Sequence, residues 1–86
     1  MVSKSVVVRN QVGLHAKTAI LFIQKANEFT SAIWVEKDGR RVNAKSLLGV
    51  LSLGITCGTE IDLHIDGTDE SAALDALADL VQSDAS

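Results

Sequence analysis

Strict alternation of polar and apolar residues predicts one strand of this chain clearly, over residues 60–66. Successive side chains of a strand point to opposite faces, so this segment should bury one face and expose the other to water. The residues expected in the core are Ile61, Leu63 and Ile65, with Glu60, Asp62, His64 and Asp66 in solvent. Residues 2–9, rich in valine, predict another strand, and residues 31–36 and 40–42 predict a hairpin around Asp38-Gly39.

Apolar residues recur with a helical period in other segments of the chain. One helix is predicted over residues 16–27, a short one over residues 47–53 behind Ser46 as N-cap, and a last one behind Thr68 as N-cap. The stripes expected against the core are Ala19, Ile20, Ile23 and Ala26 in the first helix and Ala73, Leu74, Leu77 and Val81 in the last. The order β-α-β-β-α-β-α predicts an α+β open-faced β-sandwich, a four-stranded and mostly antiparallel sheet with three helices on one face.

Composition narrows the class of protein. The 86 residues have room for one hydrophobic core, so residues 1–86 are expected to form a single domain. Hydrophobic residues make up 47% and aromatic residues 3%, which predicts an aliphatic core. The net charge of -3 and the absence of a basic run argue against nucleic-acid binding and against direct membrane binding. The sequence has no long apolar run, no signal peptide and a single cysteine, so we expect a cytoplasmic protein.

His15 is the candidate reactive residue, because it stands where the first loop gives way to the first helix. A helix N-terminus presents backbone N–H groups, here those of Ala16 and Thr18, and the positive end of the helix dipole. This setting favours an anion such as a phosphoryl group, and neutral imidazole is a nucleophile near neutral pH. Lys17 opposes the dipole unless an anion is nearby, and its ammonium could hold a phosphate oxygen. The alternative is a turn histidine without chemistry beside an ordinary exposed lysine.

Ser46 has two interpretations. Serine is a preferred N-cap, which by itself explains its position before the short helix. The alternative is phosphorylation, with the phosphate stabilised by the helix dipole and by Lys45. The helix that follows has more aliphatic surface than one buried face can use, so part of it should form a small apolar docking surface. The residues concerned are Leu47, Leu48, Val50 and Leu51.

No metal site and no complete active site can be drawn from the sequence. We expect His64 to be an ordinary surface residue, because it lies on the solvent-facing side of the last strand. A metal site shared by His15 and His64 is not expected, because no carboxylate or thiol stands at ligand spacing near either. Cys57 is expected to be a small packing residue, since no basic residue lies near it in the sequence to activate the thiol. Without a Ser-His-Asp set or a glycine-rich nucleotide loop, neither a metal nor a cofactor is predicted.

Two motifs resemble those of HPr, the histidine-containing phosphocarrier family of the bacterial phosphoenolpyruvate-dependent sugar phosphotransferase system. They are Gly13-Leu14-His15-Ala16-Lys17-Thr18-Ala19 and Asn43-Ala44-Lys45-Ser46-Leu47-Leu48-Gly49-Val50-Leu51-Ser52-Leu53-Gly54. Length, element order and motif positions all agree, so the resemblance covers the whole chain.

The resemblance implies a phosphoryl-transfer intermediate that works with partner enzymes and is not itself an enzyme. His15 would accept a phosphoryl group on Nδ1 from enzyme I and pass it to the IIA domains of sugar permeases. Ser46 would be the site of HPr kinase/phosphorylase; its phosphorylated form would be a corepressor for a catabolite-control regulator and a poorer acceptor at His15. The partner-binding residues implied are Ile20, Gln24, Asn27, Leu47, Leu48 and Leu51. A monomer is expected from the carrier role, and the alternative is a dimer formed through the apolar short helix.

The chain departs from the family's usual motif at Lys17 and Thr18, where arginine and proline are the rule. Arginine offers phosphate a planar fork and lysine only a point charge, while threonine restores an N–H and loosens the start of the helix. We therefore expect phosphorylation of His15 with an altered rate or phosphoryl stability. The alternative function is a regulatory HPr paralogue that acts mainly as a Ser46-phosphorylated, protein-binding corepressor.

Overall fold

The strands and helices follow one another in the predicted order in a computed structural model of the chain, which describes residues 1–9 and 16–82, with the backbone alone at Ala16. The strands are β1 (Val2–Val7), β2 (Ala32–Lys37), β3 (Arg40–Asn43) and β4 (Glu60–Asp66). The helices are α1 (Ala16–Ala26), α2 (Leu47–Ser52) and α3 (Glu70–Gln82). Within the described ranges, no helix has the length and apolar character that a bilayer crossing requires.

The strands form one antiparallel sheet in the order β1-β4-β2-β3. Strand β4 lies inside it, so that Leu63 pairs with Lys4 of β1 on one side and with Val35 of β2 on the other. The alternation predicted for β4 is confirmed, because Ile61, Leu63 and Ile65 are buried while the residues between them are exposed or half-buried. The three helices cover one face of the sheet, which confirms the open-faced sandwich.

The core is almost wholly aliphatic, as the composition predicts. Its large, fully buried side chains include Phe22, Ile33, Ile55, Ile61, Leu63, Ile65 and Leu77. In α1 the buried residues are Ala19, Phe22 and Ala26, whereas Ile20 is 43% exposed, so its place in the predicted stripe is wrong. The reason is that residues 19–23 are apolar without a break, and a helix can turn only one face of such a run toward the core.

The ends of the elements differ from the predicted ones by one or two residues, where backbone hydrogen bonds change partner. Strand β1 ends at Val7 because the next two backbone N–H groups leave the sheet. That of Val8 donates to the Thr59 carbonyl at 2.9 Å, and that of Arg9 donates to the Val81 carbonyl at 2.8 Å. Strand β3 runs on to Asn43, which pairs with Trp34 of β2. These bonds fix β1 to the end of α3 and shape the loop that precedes β4.

Helix α3 begins one residue after Asp69, so the predicted N-cap at Thr68 is misplaced by one position. The Asp69 carboxylate accepts the backbone N–H groups of Thr30 and Ser31, at 2.8 and 3.0 Å, and the hydroxyls of both residues. These bonds, the Ser31 hydroxyl first among them, lower the pKa of Asp69 from its ordinary 3.8 to about 2. Gly67 completes the junction, since a Cβ there would lie 2.7 Å from Ser31 Cα. Asp69 therefore ties the start of α3 to the chain entering β2.

Candidate functional site

Helix α1 begins at Ala16, directly after the candidate reactive residue. His15 itself lies outside the described residues, and so do Gly13 and Leu14 of the same motif. The predicted helix start is confirmed. The backbone N–H groups of the first turn, at Ala16 and Thr18, point toward the end of the helix that His15 adjoins. His15 therefore joins the positive end of α1 through a single peptide bond.

The first turn of α1 has no acidic residue to balance the helix dipole. It has instead Lys17, whose side chain is exposed. Helix α3 differs, because Glu70 stands in its first turn and accepts the backbone N–H of Gly67 at 3.1 Å. A cation at a helix N-terminus is unfavourable unless an anion is also bound there. The two helices thus show opposite charge patterns, and that of α1 suits an external anion.

Ser46 is the N-cap of α2, as predicted. Its backbone is extended and its Oγ accepts the N–H of Gly49 at 3.2 Å. The ammonium of Lys45 is directed to another partner, because its Nζ donates to the Phe29 carbonyl at 2.8 Å. If Lys45 is to stabilise a phosphate on Ser46, as predicted, its ammonium must first give up this hydrogen bond to Phe29. The structure confirms the capping role of Ser46.

Exposed apolar side chains gather on α1 and α2, which pack against each other. Leu48 is 82% exposed, and Ile20, Leu21 and Leu47 are between 38% and 48% exposed. We define the α1–α2 surface as the predicted partner-binding residues Ile20, Gln24, Asn27, Leu47, Leu48 and Leu51 together with Leu21. All of them are exposed except Leu51, which is half-buried and packs against the core. The unbroken apolar run of α1 was the signal that could have pointed to Leu21.

Cys57 is exposed, so the prediction of a small packing residue is wrong. Its sulfur lies 3.9 Å from the Arg9 carbonyl, at the surface of the loop before β4. The buried residue of this loop is Ile55, which fills the core position instead. The loop bends at Gly54 and Gly58, both with positive φ, and this turns Cys57 outward.

His64 is not an isolated surface histidine, because the sheet brings carboxylates to it that the sequence spacing does not reveal. Its Nε2 lies 3.0 Å from Glu36 Oε1, and its Nδ1 lies 2.8 Å from Ser3 Oγ. Asp62, two residues back on β4, completes a group whose ligand atoms lie within 4.8 Å of one another. The prediction that His64 has no carboxylate at ligand spacing is therefore wrong. Glu36 comes close to His64 through the pairing of β2 with β4, which the spacing of residues along the sequence does not show.

Comparison with known proteins adds the family. The model of the family described as "PTS HPr component phosphorylation site" matches residues 2–83. The chain belongs to the HPr family. It is 50% identical to the HPr-like protein Crh of Bacillus subtilis, over 98% of this chain and 99% of Crh. The phosphocarrier protein HPr of Bacillus anthracis has a matching structure, with a TM-score of 0.93 at 48% identity, over 94% of this chain and 96% of that one.

The family that this match shows is the HPr phosphocarrier family of the phosphotransferase system. The fold agreement with HPr also confirms the antiparallel open sheet with three helices. A crystal structure of B. subtilis Crh, with a TM-score of 0.77 at 51% identity over 95% of this chain and 94% of that one, is a domain-swapped dimer. Membership of the HPr family therefore does not imply a monomer.

Proposed function

We propose that this protein is a phosphocarrier that accepts a phosphoryl group on His15 from enzyme I and passes it to the IIA domains of sugar permeases. The observation that supports this most directly is the start of α1 at Ala16, behind a histidine and with a lysine but no acid in its first turn. A helix end of this kind favours the anion that phosphorylation would create. The HPr family match supports the same role.

Transfer at His15 forms a bond between Nδ1 and phosphorus while the donor's bond to phosphorus breaks. The imidazole must be neutral to attack, which suits a histidine near neutral pH. Backbone N–H groups of the first turn, at Ala16 and Thr18, would stabilise the phosphoryl oxygens, and the Lys17 ammonium would add a point charge. The second transfer reverses the first, with the imidazole as leaving group.

The α1–α2 surface is the proposed docking surface for enzyme I and the IIA domains. It lies on the helices that follow the two functional residues, and all of its apolar side chains except Leu51 are exposed. Leu48 is the strongest anchor candidate, with 82% of its side chain exposed. A few well-packed residues near the centre of an interface usually contribute most of its binding energy.

Ser46 is the proposed regulatory site, phosphorylated by HPr kinase/phosphorylase. Phosphorylation would add a charge of about -1.5 to -2 beside the exposed Leu47 and Leu48. Such a charge at the edge of the docking surface would disfavour the partners of His15 and would create the surface read by a catabolite-control regulator. The phosphate would also compete with the Phe29 carbonyl for the ammonium of Lys45.

A second candidate function is that of a regulatory paralogue that acts mainly through phosphorylated Ser46. The observations that favour it are the 50% identity to Crh and the presence of Lys17 and Thr18 in the first turn of α1. The two functions share the fold and the α1–α2 surface. They differ in whether His15 is charged at a useful rate.

Mass spectrometry after incubation with phosphoenolpyruvate and enzyme I tests the proposal. An acid-labile phosphate on the unmodified protein, absent from His15→Ala and retained by Ser46→Ala, is the expected result. Absence of that phosphate, with an enzyme I from the same organism that charges another HPr, would contradict the carrier function. Phosphorylation at Ser46 alone by ATP and a kinase would then favour the regulatory paralogue.

A further inference from the structure

The open face of the sheet has a cluster of ligating side chains away from the α1–α2 surface, formed by Glu36, Asp62 and His64. In the antiparallel register Glu36 of β2 stands opposite Asp62 of β4. His64 follows two residues later on β4 and therefore points to the same face. One nitrogen of His64 and one oxygen of each carboxylate all lie within 4.8 Å of one another. The cluster depends on the pairing of two strands and is held by the sheet itself.

We propose that Glu36, Asp62 and His64 bind a divalent transition-metal ion, with Zn²⁺ as the best-matched ion. One imidazole and two carboxylates form a nitrogen and oxygen donor set that suits zinc. Two ligands that share one tetrahedral ion at about 2.0–2.2 Å lie roughly 3.3–3.6 Å apart. His64 Nε2 and Glu36 Oε1, now 3.0 Å apart, would therefore have to separate by only a few tenths of an ångström. Three protein ligands would leave a further coordination position for water.

Two serines of the neighbouring strand β1 form hydrogen bonds to two of the proposed ligands. Ser3 pairs with His64 and Ser5 with Asp62 in the register of β1 and β4. The Ser3 hydroxyl lies 2.8 Å from His64 Nδ1, and the Ser5 hydroxyl donates to Asp62 Oδ1. In metal sites, a hydrogen-bond partner on the non-ligating nitrogen of a histidine fixes the orientation of its ring. Ser3 can do this at Nδ1 of His64, which leaves Nε2 to bind the ion. Binding would need the His64 ring with its proton on Nδ1, where it can donate to Ser3 Oγ, and the ion would then replace the hydrogen bond between Nε2 and Glu36 Oε1.

Charge and access also favour a cation. Glu36 forms an ion pair with Arg41 at 3.4 Å. This ion pair is weak, because both side chains are partly exposed to solvent. Among residues 1–9 and 16–82, Asp62 has no ion-pair partner, so the cluster retains negative charge. An open cleft of about 280 Å³ beside Asp62 and His64 lets a hydrated ion approach. Lys4 of β1 also lines this cleft, and Arg41 opposes binding through its ion pair with Glu36, so removal of Arg41 should strengthen the binding of the ion.

Calorimetric titration with ZnCl₂ tests the site, using untagged protein with Cys57→Ser so that the exposed thiol does not bind zinc. We expect one zinc per chain at the cluster. His64→Gln and Asp62→Asn should each weaken it at least about tenfold, the usual cost of removing a ligand or its support. Glu60→Gln is the matched control, because it removes the same charge from the same face of β4, and it should change the affinity less than about twofold. Arg41→Gln should tighten binding several-fold.

Thermal unfolding gives an independent measurement for the same variants. Zinc that binds only the folded sheet should raise the Tm of the Cys57→Ser protein by about 5 °C or more at saturation, and of Glu60→Gln equally. His64→Gln should unfold at its own Tm with or without zinc. Zinc affinity that is unchanged by His64→Gln and Asp62→Asn, or no binding at millimolar zinc, would overturn the proposal. Neither result depends on whether His15 carries phosphate.

Discussion

At the scale of single residues, the first turn of α1 is where this chain differs from the usual HPr motif. Lys17 and Thr18 preserve the positive charge and the helix start at Ala16, yet they remove the fork of arginine and the fixed φ of proline. The helix forms there without proline, so the departure concerns the phosphoryl group more than the fold. The chemistry at His15 should therefore respond to these two residues.

We predict that the double variant Lys17→Arg, Thr18→Pro is charged by enzyme I several-fold faster, or holds its phosphohistidine several-fold longer, than the unmodified protein. The reason is that a guanidinium can bind two phosphoryl oxygens at once. Single-turnover charging and the half-life of the phosphohistidine measure the two effects. Lys25→Arg, the same exchange in the last turn of α1, should change neither. Equal values for the double variant and the unmodified protein would show the prediction to be wrong.

Asp69 gives a second prediction at this scale. Its pKa is about 2 in the folded protein and near the ordinary 3.8 in the unfolded chain, because Ser31 and Thr30 donate to the carboxylate. A lowered pKa stabilises the fold above about pH 4, and this contribution is lost as the pH falls toward about 2. We expect Asp69→Asn to lower the Tm at pH 7 and to reduce the loss of stability between these pH values.

The matched control is Asp75→Asn, an exposed acid in the middle of the same helix, which should leave both the Tm and its acid dependence nearly unchanged. Thermal unfolding followed by circular dichroism from pH 7 to pH 2 measures both variants. An acid dependence of Asp69→Asn that is as steep as that of the unmodified protein would contradict the role given to Asp69.

At the scale of elements, the six residues of α2 have two different tasks, packing against the core and forming part of the proposed docking surface. Val50 is fully buried and holds the helix to the core, whereas Leu48 is largely exposed. The sequence predicted that some of its aliphatic residues would stay exposed, and this is confirmed. Periodicity alone did not decide which ones, because such a short helix has too few turns to define a face.

We predict that Leu48→Ala slows phosphoryl transfer at least about fivefold through weaker docking and leaves the Tm unchanged. Val50→Ala should do the opposite, lowering the free energy of unfolding by roughly 2 kcal/mol while the folded fraction transfers normally. Transfer rates at several partner concentrations, together with urea unfolding, separate the two effects. A stability loss in Leu48→Ala with normal transfer would contradict the docking surface.

At the scale of the whole molecule, the sequence predicted the order of elements, the open sheet and the buried face of β4 because these depend on local periodicity. It missed the group of Glu36, Asp62 and His64, because Glu36 reaches His64 only through the pairing of β2 with β4. It also misplaced Cys57, whose exposure is set by a loop that buries Ile55 instead. Contacts between distant segments were the part that periodicity could not supply.

The oligomeric state is a prediction at the same scale. We predict a monomer at micromolar concentration, because the α1–α2 surface must be free to meet two partners in turn. Light scattering coupled to size exclusion should give 9.1 kDa, the mass of one chain. A stable species of twice this mass would show instead that this chain dimerises, as the domain-swapped Crh structure does.

The most direct test of the central proposal is a complete relay from phosphoenolpyruvate through enzyme I and this protein to a IIA domain of the same organism. With a small amount of this protein, we predict phosphorylation of IIA over many turnovers, abolished in His15→Ala and reduced by phosphorylation at Ser46. Charging of IIA that proceeds equally well with His15→Ala, or fails although enzyme I charges another HPr, would contradict the account.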